Sequence, residues 1–238
     1  MRKIKFTKGN IYHVFNRGTE KRDIFQDDAD RWRFLQGMYL FNDEEGSANL
    51  LYQLEQEKGS MNFKILKEFI ASGQKERKPL IRIMVDCLMP NHFHLLLEEI
   101  QDNGISRFMH KLGVGYTKYF NKKYERVGGL FQGTFKAASV EKDIYLQYLV
   151  AYINVINPGQ LIEPELKEHG IKDIEAVIKF AEEYPWSTNQ EYSGRRNSLI
   201  IDKGILADIF STPAVYQEFV RSVLLNRKYN EAGRLFLE

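Results

Sequence analysis

Cys87-Leu88-Met89-Pro90-Asn91-His92-Phe93-His94-Leu95-Leu96-Leu97 lies near the middle of a 238-residue chain and decides how the rest is read. Apolar residues run up to Met89-Pro90-Asn91 and resume after it. Ile81 to Leu88 and His92 to Glu98 are therefore predicted as two strands, with Pro and Asn supplying the turn chemistry between them. Strand side chains alternate, so His92 and His94 project from one face and Phe93 from the other. Two imidazoles on one face can converge on a single divalent ion. They can equally form a hydrogen-bonded pair in a half-buried strand, and the motif alone does not separate these readings.

Working outward, Ile11 to Phe15 has strand composition and exits at Asn16-Arg17-Gly18. Asp27 or Asp28 offers an N-cap for a helix that runs through Trp32, Phe34, Leu35 and Met38 to Phe41. Asn42 to Pro79 is polar and reads as an insertion, with helical pieces around Leu50 to Gln56 and Phe63 to Ala71. Apolar spacing through Ile105, Phe108, Met109, Leu112, Tyr116, Tyr119 and Phe120 predicts a helix from Ile105 to Tyr124. A strand over Gly133 to Val140 follows, then a helix from Lys142 to about Val155 that Asn157-Pro158-Gly159 stops. The order strand, helix, insertion, strand, strand, helix, strand, helix predicts an α+β fold, with helices layered on a mostly antiparallel sheet. Beyond it lie a helix from about Lys172 to Glu183 and a last helix introduced by Ser211-Thr212-Pro213. The expected division is a core over 1–160, with the insertion at about 42–79, and a helical extension over 161–238.

Composition excludes several classes. With 43% hydrophobic and 28% charged residues the chain is globular in type, not disordered. A lone cysteine, Cys87, rules out an internal disulfide or an all-cysteine metal site. The basic start MRKIKFTKGNIYHVFNRG lacks the apolar stretch of a signal peptide, and no segment approaches the roughly 18 apolar residues of a membrane helix. A cytoplasmic protein is expected. The net charge of +2 averages unlike parts. Met1 to Arg33 holds nine basic against five acidic residues, and Gln101 to Val150 eight against four, whereas Leu161 to Pro185 holds three against seven. Polyanion contacts are thus expected before residue 160, with Arg17, Lys118, Lys122, Lys123, Arg126 and Lys136 as candidates.

His92-Phe93-His94, with its flanking sequence, closely resembles the signature strand of the HUH single-tyrosine transposases, the insertion-sequence transposase-like family that includes the REP-associated branch. Tyr12-His13-Val14-Phe15-Asn16-Arg17-Gly18, followed by Ile24-Phe25 and Asp27, is similar to that family's first strand and turn. Gly129-Leu130-Phe131-Gln132-Gly133 with Phe135-Lys136 resembles the segment before its active-site helix. Tyr152-Ile153 with Asn157-Pro158 resembles its tyrosine helix, and Pro185-Trp186-Ser187 with Tyr192-Ser193-Gly194 its closing motif.

The resemblance implies a ferredoxin-like HUH domain that nicks and rejoins single-stranded DNA near hairpins. It implies His92 and His94 as ligands of Mg2+ or Mn2+, a third polar ligand, a tyrosine nucleophile and a 5′-phosphotyrosine intermediate. Tyr145, Tyr148 and Tyr152 fall on roughly one helix face, and Tyr152 occupies the family position. The family spacing puts the third ligand four residues after the tyrosine, whereas Asn157 is five residues on. Either the helix carries a one-residue bulge, or Asn154 substitutes, or the ligand geometry is impaired. Thr134 stands where relatives carry Arg after Phe-Gln-Gly, which leaves Lys136, Arg17 or Arg82 as replacements. These two departures also fit an alternative, a domesticated protein that binds structured DNA or RNA without cutting it. A single-stranded DNA or DNA hairpin is the expected partner, bound by a monomer or homodimer.

Overall fold

The computed structural model describes residues 4–44, 68 and 77–225. The helical pieces expected within 42–79 therefore lie almost wholly outside the described residues. The main elements follow the predicted order: β1 (Ile11–Arg17), α1 (Asp28–Phe41), β2 (Ile81–Met89), β3 (His92–Glu99), α2 (Gly104–Lys123), β4 (Lys136–Val140) and α3 (Asp143–Ala151). The strands form one sheet in the order β2-β3-β1-β4, each antiparallel to its neighbour. This is the ferredoxin-like βαββαβ arrangement, in which β3 returns between β1 and β2.

Local chemistry sets the boundaries. The Asp27 carboxylate accepts from the Asp30 backbone N–H at 2.9 Å and caps α1. Met89-Pro90-Asn91 turns β2 into β3 with Met89 opposite His92. Tyr12, Val14, Phe93 and Leu95 project from one sheet face and are buried. That face packs on α1 and α2: the Phe34 ring lies 5.0 Å from Phe93 and 5.1 Å from Tyr116. His13, Phe15, His92 and His94 project from the other face, beneath α3 and its continuation.

Two elements differ from the expectation. The last strand begins at Lys136, not Gly133, whose φ of 134° is a conformation suited to glycine. The helix is not stopped by Asn157-Pro158-Gly159. It widens into a π turn over Tyr152–Ile156 and continues through Asn157–Gly159. The wider turn relieves the clash that a proline ring makes with the carbonyl four residues back, so Pro158 is tolerated.

Beyond α3 come a short helix α4 (Leu166–His169), α5 (Ile174–Glu183) and α6 (Pro213–Leu225). Asp173 caps α5 by accepting from Ala176 N–H at 3.0 Å. The stretch after α5 lies along the outer edge of β2. Leu88 N–H donates to the Trp186 carbonyl at 2.8 Å, and Thr188 N–H to the Asp86 carbonyl at 3.0 Å. This covers part of an edge strand whose backbone groups would otherwise be unpaired. Among the described residues no helix is long and apolar enough to cross a membrane.

Candidate active site

The sheet register aligns the site residues in rows. His94 lies between Cys87 on β2 and Phe15 on β1, and Phe15 pairs in turn with Lys136 on β4. His92 lies between Met89 and Arg17 in the next row. The His92 and His94 rings are 5.1 Å apart at 88°. Each is held through Nδ1. His92 Nδ1 is 2.6 Å from Asn91 Oδ1, and because an amide oxygen only accepts, the proton is on Nδ1 and the Nε2 lone pair is free. His94 Nδ1 is 2.8 Å from Nε2 of His13, a buried histidine whose ring stacks on that of His94.

Burial keeps these rings uncharged. It lowers His13 to about 3 and His92 to about 4, and holds His94 well below its ordinary value, with the ammonium of Lys167 adding to the effect on all three. All three are neutral at pH 7, the state in which an imidazole nitrogen can ligate a metal.

Above them stands the helix from β4. Tyr152 opens the π turn, with its ring 5.6 Å from the His94 ring and 6.2 Å from the His13 ring, edge to face with both. The tyrosine and the histidines therefore meet within one chain. Tyr152 is only 4% exposed, and burial raises its phenol above the ordinary tyrosine value, so it is protonated at pH 7. Tyr145 and Tyr148 are also buried, and the Tyr148 ring stacks on Tyr152 at 6.2 Å.

The structure answers the spacing question. The Asn157 N–H donates to the Tyr152 carbonyl, so the extra residue is taken up in the π turn. Lys167 Nζ reaches both side chains, at 2.6 Å from the Tyr152 hydroxyl and 3.2 Å from Asn157 Oδ1. Asn154 instead turns away, and its Oδ1 accepts from the Thr188 hydroxyl at 2.7 Å.

The expected DNA-contacting cations divide between two surfaces. Arg17 and Lys136 are exposed and share rows with His92 and His94. Arg17 Nε donates to Gln132 Oε1. Lys118, Lys122, Lys123 and Arg126 lie on or just after α2, on the opposite layer. Lys123 is held by Asp27 and by buried Asp30, each at 2.7 Å, so it is a structural cation. Arg126 Nη1 donates to Asn121 at 3.3 Å. Arg82 pairs with Glu98 and, at 2.8 Å, with Asp202, away from the histidines. Lys118 and His110 line a cavity of about 540 Å³ between α2 and the segment 129–135.

Sequence reading missed Lys167, which stood only as one of three bases in an acidic segment. It also missed Asn91 as the partner that orients His92. Among the described residues no group of three or more His, Cys, Asp or Glu is placed to hold a metal ion together.

Residues 53–155 match the family described as "Transposase IS200 like". That span holds His92, His94 and Tyr152 and stops short of Asn157 and Lys167. None of the curated proteins compared matches the chain. A solved structure described as "Structure of the REP associates tyrosine transposase bound to a REP hairpin" is 12% identical, with a TM-score of 0.44 over 85% of this chain and 93% of that one. Over residues 53–155, somewhat under half of its length, the chain is thus similar to the IS200-like transposase family.

Proposed function

We propose that the protein is a metal-dependent transposase that nicks and rejoins single-stranded DNA near hairpins, with Tyr152 as nucleophile. The observation that carries this reading is the meeting of Tyr152 with His94 and His13 within one chain, beside His92 and, through Lys167, Asn157. It also favours a site complete in a monomer. The core over 1–160 holds the histidines and the tyrosine, and the described part of the extension, 161–225, docks on β2 and α3.

The donor set fits a divalent cation. His92 presents Nε2 because Nδ1 is committed to Asn91, and His94 does so when its Nδ1–H donates to His13. Asn157 adds an amide oxygen that now takes hydrogen bonds from Lys167 and Gln160. The amide oxygen suits Mg2+ or Mn2+, and the two imidazoles favour Mn2+, which accepts nitrogen donors more readily. When bound, such an ion polarises the scissile phosphate and steadies the departing 3′ oxygen.

The chain's own residues supply the rest. Tyr152 Oη forms the new bond to phosphorus as the bond to the 3′ oxygen breaks, the phenol proton passes to solvent, and the 3′ oxygen takes one up from water. A 5′-phosphotyrosine and a free 3′-hydroxyl result, and attack by another 3′-hydroxyl reverses the step and rejoins the strand. Arg17 and Lys136 flank the site as phosphate contacts, while Lys118, Lys122 and Arg126 would meet DNA on a separate surface.

The test is to incubate labelled hairpin DNA with the protein and Mg2+ or Mn2+ and look for a denaturation-resistant adduct. An adduct that forms only with metal supports the proposal. Hairpin binding with no adduct and no metal dependence selects the non-cleaving alternative.

A further inference from the structure

Lys167 stands outside the span matched to the family and makes the closest polar contact to the Tyr152 hydroxyl. Its Nζ donates to that oxygen at 2.6 Å and to Asn157 Oδ1 at 3.2 Å, and it lies 4.6 Å from the centre of the Tyr152 ring. The short helix carrying it is pinned from below. Leu166 is buried, and it packs so closely on Gly159 that a Cβ there would meet Leu166 Cδ2 at 3.0 Å and Val177 Cγ1 at 2.9 Å. The bare backbone of Gly159 therefore lets α4 approach the tyrosine helix.

A constraint follows from the reaction geometry. A phosphorus poised for attack sits roughly 3–3.5 Å from the nucleophilic oxygen. A cation hydrogen-bonded to that oxygen is then within reach of a non-bridging oxygen on the same phosphate, where a charge-assisted bond is strong. We propose that Lys167 is a catalytic residue whose ammonium holds the scissile phosphate against Tyr152, so that the extension completes the active site of the core. This rests on the reading of Tyr152 as nucleophile. Burial lowers the Lys167 ammonium to about 8, which leaves it charged at pH 7. The ammonium gives up no proton, and its hydrogen bond moves from the phenol to the phosphate as the Oη–phosphorus bond forms and the bond to the 3′ oxygen breaks.

Two readouts on the full chain test this, with Lys167→Gln removing the charge and Lys167→Arg keeping it. Inorganic phosphate, titrated calorimetrically into the Mn2+-loaded protein, reads the contact without chemistry. At saturating Mn2+, Lys167→Gln is expected to weaken phosphate binding at least about tenfold, and Lys167→Arg to restore most of it. The single-turnover rate of adduct formation on a DNA hairpin is expected to fall about a hundredfold in Lys167→Gln and to recover in Lys167→Arg. Phosphate affinity unchanged in Lys167→Gln, or lost together with Mn2+ binding or folding, overturns the assignment, as does a wild-type protein that binds no phosphate. An adduct that persists in Tyr152→Phe, or is absent from the wild type, while phosphate binding still depends on Lys167, defeats the nucleophile reading and leaves the phosphate contact standing.

Discussion

The backbone N–H of Asn157 donates to the carbonyl of Tyr152, five residues back, where an α-helix would use the carbonyl four back. At 3.6 residues per turn, a residue five positions on points about 140° away from its starting neighbour. The π turn closes that angle. Both side chains consequently reach one ammonium, with Lys167 Nζ 2.6 Å from the phenol and 3.2 Å from the amide oxygen. Such turns occur mostly as single insertions in helices, often at functional sites.

If Asn157 is the third ligand, Asn157→Ala weakens Mn2+ binding by about tenfold or more while leaving the fold intact. Asn154→Ala has the opposite profile. It removes the acceptor of the 2.7 Å bond from the Thr188 hydroxyl, leaves that hydroxyl only the longer 3.3 Å bond to the Asp86 carbonyl, and costs about 1–2 kcal/mol of stability with little change in metal affinity. Calorimetric Mn2+ titration beside denaturant unfolding of the two variants separates the roles.

His13 orients His94 through the 2.8 Å contact between Nε2 and Nδ1. His13→Phe keeps an aromatic ring in the buried position but removes the acceptor, and Mn2+ affinity is expected to fall about 10- to 100-fold. His13→Gln, which keeps an acceptor, is expected to retain more of it. Equal losses in both variants would show that the His13 ring matters for packing alone.

The fold was legible because its signals are local. Alternation through His92-Phe93-His94, the Pro90-Asn91 turn and the Asp27 cap each act within a few residues. The site was legible only in part. The irregular step from Tyr152 to Asn157 was visible, but whether a helix absorbs an extra residue as a π turn depends on what holds its two ends. Lys167 could not be found by pattern, because α4 reaches Tyr152 through the packing of Leu166 on Gly159, fifteen residues downstream of the tyrosine. Counting charge along the chain likewise cannot tell sheet faces apart. It ranked Lys123 with Lys136, although one is bound to Asp27 and Asp30 and the other lies in the row of His94.

The three histidines set an acid limit on the metal-free protein. Their folded-state values are depressed, to about 3 for His13 and about 4 for His92, and well below the ordinary value for His94, against about 6.5 when unfolded. Between those values the unfolded chain binds more protons, so stability is full above pH 6.5 and is lost as pH falls toward 4. Urea unfolding midpoints from pH 7.5 down to 4.5 should therefore decline, and His13→Phe should flatten the slope. A flat profile would show that the rings are solvated.

Asp86 has the opposite sign. Burial and the nearby Glu191 carboxylate raise it from 3.8 to about 7, against the pull of Arg196. The folded state holds a proton that the unfolded chain has released, so the group's contribution is full below pH 4 and lost as pH rises through 7. Asp86→Asn is expected to stabilise the protein by an advantage that grows between pH 4 and pH 7, reaching the order of a few kcal/mol. Thermal unfolding of both proteins across that range checks it, and a constant difference would contradict the cause given.

In the proposed reaction Tyr152 is the residue that carries the DNA. Peptide mass spectrometry of the denaturation-resistant product formed with a DNA hairpin and Mn2+ identifies that residue. The result expected is a nucleotide 5′-phosphate on the peptide containing Tyr152, absent from Tyr152→Phe and from protein stripped of metal. A nucleotide on Tyr148 or on any other residue, or no covalent product from wild-type protein that binds the hairpin, would contradict the account.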